Sequence, residues 1–146
     1  MEESLTLLNL IKRDFGLGEV DLKTLSPLTL AFVGDCIYDL ILRTVIVERH
    51  NASPNQLHRE KSRLAKAPAQ AEMAEVLQEH LTQEELAVYR RGRNAKSHTT
   101  AKNASVLDYR KATGLEALYG WLYLSGQEER LHQLLRLSLD ELGWKL

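Results

Sequence analysis

The chain lacks most of the groups that announce common chemistries. It has a single cysteine, Cys36, which excludes an internal disulfide and is compatible with a reducing cytoplasm. His58 and His98 show no metal-ligand spacing and read as surface residues. No stretch combines period-two alternation with turn signals, so no sheet is expected and the fold class is all-α. No internal repeat or linker divides the 146 residues, a length that suits one ordinary domain with one core (1–146). Acids at positions 2 and 3 stand where a signal peptide would carry basic residues, so none is expected. The net charge of −1 gives no overall pull toward polyanions.

What is present begins with Leu28 to Val47, LTLAFVGDCIYDLILRTVIV, an almost continuous apolar run. Its length approaches that of a membrane span, but Asp35, Asp39 and Arg43 near its middle point to a buried helix of a soluble protein. An ionised carboxylate on such a helix is costly unless something pairs with it. No basic residue lies one turn from Asp35, and Asp39 shares its helix face. A divalent metal or a basic group from another element must answer the two charges; Arg43 or a lysine from another helix would make Asp35 a satisfied core acid.

Other helices follow from local signals. Leu5, Leu8 and Ile11 form one stripe of an N-terminal packing helix within residues 1–20, ended by Gly16 and Gly18. Ser26-Pro27 reads as N-cap and first position of the central helix, which runs to about Arg49. Ser53 caps a helix to about Lys66, and residues 69–80 form the next. Thr82 and Glu85 make a capping box for a short helix to about Tyr89. The stretch from Arg90 to Ser105 reads as a loop rich in donors. A helix from about Asp108 to Ser125-Gly126 contains Glu116, and a last helix over about 127–142 carries a leucine stripe that is core or subunit interface.

Charge is unevenly placed. Arg90 to Lys111 holds seven basic residues and one acid, so a neutral chain carries a +6 segment, as a polyanion-binding face would. A solvated loop is the plainer alternative, and Glu116 alone would ordinarily face solvent. If the helices carrying Asp35 and Glu116 pack together, their carboxylates can face each other. A carboxylate pair without Cys or His suits hard Mg2+ or Mn2+ and substrate phosphate.

Phe32-Val33-Gly34-Asp35, with Asp39 four residues later, resembles the ribonuclease III signature. Glu116-Ala117-Leu118-Tyr119-Gly120-Trp121-Leu122-Tyr123-Leu124 resembles a second block of that family. Arg91-Gly92-Arg93-Asn94-Ala95-Lys96-Ser97, with Ala112-Thr113-Gly114-Leu115-Glu116, looks more specifically like the Mini-ribonuclease III subgroup, which lacks a double-stranded RNA-binding domain. The resemblance covers roughly 21–142. It implies an all-helical ribonuclease III catalytic domain acting as a cytoplasmic homodimer, with Phe32 at the dimer interface and no membrane association. It implies a Mg2+-dependent, double-strand-specific endoribonuclease, with Mn2+ as a substitute, that leaves 5′-phosphates and two-nucleotide 3′ overhangs. Asp35 and Glu116 would be the catalytic metal ligands. Arg91, Arg93, Asn94, Lys96 and Lys102 would contact RNA. The implied substrate is a 23S ribosomal RNA precursor, with a large-subunit ribosomal protein assisting. The sequence also departs from the standard family: Leu28, Ala31 and Thr113 stand where further acids are usual. Only Asp35 and Glu116 remain of that set, so metal binding is expected to be weaker, and a non-catalytic RNA-binding or ribosome-assembly factor of the same fold is the alternative.

Overall fold

The computed structural model describes residues 6–95 and 105–146. Those residues form α1 (Leu7–Asp14), α2 (Pro27–Arg49), α3 (Pro54–Ala65), α4 (Ala67–Leu77), α5 (Gln83–Asn94), α6 (Val106–Leu124) and α7 (Glu128–Leu142), with short 3-10 turns at Leu22–Thr24 and Gln78–His80. No strand occurs among them. No described helix is long and apolar enough to cross a membrane.

Hydroxyl caps start five of the described helices, Thr6 accepting from Asn9 N–H at 3.2 Å in α1. Ser26, Ser53 and Ser105 accept from Thr29 N–H, Gln56 N–H and Asp108 N–H at 3.1, 3.3 and 3.0 Å. Each satisfies a donor that has no intrahelical partner, which stabilises a helix by about 1 kcal/mol. The Thr82–Glu85 capping box forms as expected, with Glu85 N–H on Thr82 Oγ1 at 3.1 Å and Thr82 N–H on Glu85 Oε1 at 2.9 Å. Glu85 then does more than cap. Its carboxylate is buried and takes Arg130 of α7 in a two-pronged pair at 2.8 and 2.9 Å, while Arg130 also donates to the His80 carbonyl. The hydrogen bonds from Arg130 outweigh burial and hold the Glu85 carboxyl below its usual range.

The centre of the molecule is α6, not α2. Ten residues of α6 are buried, from Ala112 to Tyr123, and α2, α4, α5 and α7 all pack on it. The apolar run 28–47 is buried along one stripe, Leu30, Gly34, Tyr38, Leu42 and Ile46, every fourth residue, together with Ala31. Leu28, Leu40 and Val47 are exposed, and Phe32 is 81% exposed. A run apolar on all sides reads as fully buried; here nine of its twenty residues are exposed. The N-terminal stripe is thinner than expected too. Leu8 is buried, Ile11 lies at the surface, and Leu5 falls outside the described residues.

The tightest packing is where α2 crosses α6. A Cβ at Gly34 would fall on the Glu116 carbonyl oxygen and 2.8 Å from the Gly120 nitrogen. A Cβ at Gly120 would fall on the Leu30 carbonyl oxygen and 3.0 Å from the Gly34 nitrogen. The two helices therefore meet backbone to backbone, with one glycine from each. Tyr38, one turn beyond Gly34, and Tyr119, next to Gly120, stack with centroids 5.9 Å apart, and Tyr38 Oη donates to the Leu64 carbonyl at 2.5 Å.

Gly34→Ala or Gly120→Ala is expected to destabilise the fold by about 3 kcal/mol, because the obstructing atoms are backbone and cannot rotate away. Gly18→Ala, which meets nothing within 4 Å, should be within ~0.5 kcal/mol of wild type. Urea midpoints of the three variants check this; equal midpoints would show that the helices can part without loss.

Candidate active site

The glycine crossing fixes what stands beside it. Asp35 follows Gly34 on α2, and Glu116 lies one turn before Gly120 on α6. Their carboxyl groups come within hydrogen-bonding reach of each other. Asp35 is exposed, not buried as the apolar run suggested, while Glu116 is half-buried. Burial, then the hydrogen bond with Asp35, then the charge of Asp35 push the Glu116 carboxyl up to about 9. Two carboxyl groups can share a hydrogen bond only if one keeps a proton, so without another cation the pair holds one.

Asp39 has a different fate. Arg43 Nε lies 2.5 Å from one of its oxygens and Lys61 Nζ, from α3, 3.0 Å from the other. Burial raises its carboxyl, but hydrogen bonds from Lys61 and Arg43 prevail and hold it below the usual range. The cation expected for the two acids of α2 therefore goes to Asp39. Among the described residues Asp35 and Glu116 have no salt-bridge partner. The i,i+4 spacing of Asp39 and Arg43 was visible in the sequence; Lys61, 22 positions away, carried no signal.

Among the described residues no cluster of three or more His, Cys, Asp or Glu side chains forms. The donor set is thus two carboxylates with hard oxygen atoms. It suits a Mg2+-like ion that keeps water molecules and accepts substrate phosphate oxygen, and it does not suit a soft metal enclosed by thiolates.

The basic segment is partly helix. Arg90 to Asn94, expected as loop, complete the last turn of α5. Gly92 does not end the helix because it is a contact residue: a Cβ there would meet Ala117 Cβ at 2.7 Å and Gly114 Cα at 2.9 Å. This close approach lays the turn carrying Arg91 and Arg93 against the part of α6 that carries Glu116. Arg91 and Asn94 are exposed; Arg93 is half-buried, its guanidinium 5.8 Å from the centre of the Tyr89 ring. These arginines also suit the negative end of the helix dipole. Lys96, His98 and Lys102 lie outside the described residues.

Comparison with known proteins agrees with this architecture. The Ribonuclease III domain family matches residues 28–127. The chain is similar to Mini-ribonuclease 3 of Clostridium tetani, 42% identical over 133 residues and 88% of each chain. It is 51% identical to Mini-ribonuclease 3 of a Thermoanaerobacter species over 117 residues, 80% of this chain and 82% of the relative. A crystal structure of a Fusobacterium nucleatum protein superposes with a TM-score of 0.76 at 26% identity, covering 84% of this chain and 98% of that one.

The proton on Glu116 gives a pH signature in metal-free protein. The folded carboxyl is pushed up to about 9 from its ordinary 4.5, so between those values the folded state holds a proton that the unfolded chain has released. This contribution to stability is complete at low pH and is lost as pH rises through that window. Melting in EDTA should fall toward pH 9 more steeply for wild type than for Glu116→Gln, which stays neutral. Parallel curves would show that Glu116 does not carry the proton.

Proposed function

The chain belongs to the ribonuclease III family and is an endoribonuclease of that kind; from this premise we propose that it cuts double-stranded RNA in a Mg2+-dependent reaction, with Asp35 and Glu116 as its catalytic residues. The observation that carries the reading is the carboxylate pair itself. Two acids from distant parts of the chain meet at a glycine crossing and have no cation among the described residues. An unneutralised acid pair is a poor way to stabilise a fold and a good way to hold a divalent ion.

Asp35 and Glu116 would hold Mg2+, with Mn2+ as a substitute. The ion supplies a water activated at neutral pH and a positive charge beside the phosphodiester. Asp35 is the exposed partner and faces incoming substrate; Glu116, anchored in the most buried helix, gives the pair its rigidity. Cleavage leaves 5′-phosphates. Arg91, Arg93 and Asn94 at the end of α5, with Lys96 and Lys102 beyond it, would engage phosphates and 2′-hydroxyls. Such contacts recognise the shape of the duplex rather than its sequence.

Phe32 on the exposed face of α2 would seat against the same face of a second copy. With Leu28, Leu40 and Val47 it makes an apolar surface that a homodimer would cover. An apolar anchor at such an interface typically contributes about 2 kcal/mol or more. The dimer would place one site on each RNA strand. The substrate we favour is a 23S ribosomal RNA precursor, trimmed in the cytoplasm at its paired ends with a large-subunit ribosomal protein assisting.

Single-turnover cleavage of a long duplex RNA tests the reading. Wild type should cut in Mg2+ and not in EDTA. Asp35→Asn should lose at least ~10³ in rate while remaining folded, since cleavage without the pair has no means of holding the ion. Equal cutting by both proteins would remove Asp35 from the site. Duplex binding without cleavage by wild type would select the assembly-factor alternative.

A further inference from the structure

Asp39 is the acid of α2 that the proposed reaction does not use, yet it sits one helical turn from Asp35. Residues so spaced have Cβ atoms about 5–6 Å apart on the same helix face. Left alone, its carboxylate would make a third negative charge beside the pair. It is not left alone: Arg43 holds it from the same helix and Lys61 from α3, and the Lys61 side chain is only 13% exposed. Two cations on one acid leave this trio with a charge of +1. The neighbouring cleft between α2 and α3, about 230 Å3, is lined by Arg43, His58 and Lys61 with Ile46, Val47 and Leu57. The side of the pair toward α3 is therefore electropositive where Asp39 and Arg43 of α2 alone would leave it neutral.

We propose that Lys61 is a positioning residue for the Asp35–Glu116 site, acting through Asp39: by neutralising it together with Arg43, Lys61 limits the grip of the site on its divalent ion and keeps the RNA backbone from meeting a third carboxylate. The inference rests on the metal-dependent reading above. Arg43, on the same helix, already neutralises Asp39; Lys61 ties α3 to α2 and, as a second cation on one acid, also changes the field at the site. A metal ion and a phosphate group respond to that field with opposite signs, which separates this role from a structural one.

The test measures Mn2+ binding by electron paramagnetic resonance in the absence of RNA, and kcat and KM on duplex RNA at saturating Mg2+. Removing one positive charge a helical turn away in a solvated setting alters the affinity for a divalent ion about fivefold. Lys61→Met should therefore bind Mn2+ about fivefold more tightly and show a KM for duplex raised about threefold or more. Asp39→Asn, which removes the opposite charge, should bind Mn2+ about fivefold more weakly. Lys61→Met with Asp39→Asn should return Mn2+ affinity to within about twofold of wild type. Lys61→Arg, which keeps the charge, should resemble wild type in both measurements.

Unchanged Mn2+ affinity in both Lys61→Met and Asp39→Asn would overturn the inference, provided wild type binds the ion and cuts RNA. So would a loss of melting temperature in Lys61→Met with metal affinity and KM unmoved. Should Lys61→Met fail to fold, Asp39→Asn alone decides, by the direction of its Mn2+ shift. If wild type binds no Mn2+, the metal-dependent reading fails first and the role of Lys61 falls with it.

Discussion

Everything in this molecule depends on two helices touching backbone to backbone. Gly34 and Gly120 leave no side chain between α2 and α6, and each would drive a Cβ into a carbonyl of the other helix. Glycine within a helix costs about 1 kcal/mol relative to alanine, so the arrangement needs a return in packing. The return is seen around it: the Tyr38–Tyr119 stack, and fully buried Leu42, Leu118 and Leu122. Because Asp35 adjoins one glycine and Glu116 lies a turn from the other, the same contact that closes the core brings two carboxyl groups together. Core packing and site geometry are one constraint here.

Charge is then divided between stability and chemistry. Glu85 and Arg130 form a shielded pair whose partners satisfy each other, and Asp39 is answered twice, by Arg43 and Lys61. Both arrangements neutralise an acid, Glu85 buried and Asp39 half-buried. Asp35 and Glu116 are treated otherwise. Burial and mutual repulsion leave Glu116 holding a proton until about pH 9, a state that a divalent cation would displace. Gly92 extends the same logic to the basic segment. By letting α5 lie close on α6, it brings the turn that carries Arg91 and Arg93 onto the helix that carries Glu116.

How much of this could be read from the chain varied with the range of the interaction. Helix starts were legible because caps are local: Ser26, Ser53 and Thr82 act on backbone groups within three residues. The span of α2 was legible for the same reason, and so was the meeting of Asp35 with Glu116, since two acids in apolar helices ask for a common answer. Burial of α2 was not. An apolar run has the same composition whether its second face meets its own chain or is left open, and Phe32 proves to be open. The end of α5 was misread because Gly92 looks like a breaker; only the position of Ala117, 25 residues on, shows it to be a contact. Lys61 and Arg130 were invisible as partners because ion pairs between helices leave no periodicity behind.

The most direct test of the central claim is anomalous diffraction from crystals of the protein grown in Mn2+. The account predicts a peak between the carboxylates of Asp35 and Glu116, beside the α2–α6 crossing, and its loss in Glu116→Gln. Strong Mn2+ density elsewhere with none at this pair, in a protein that still cuts duplex RNA in Mn2+, would contradict it.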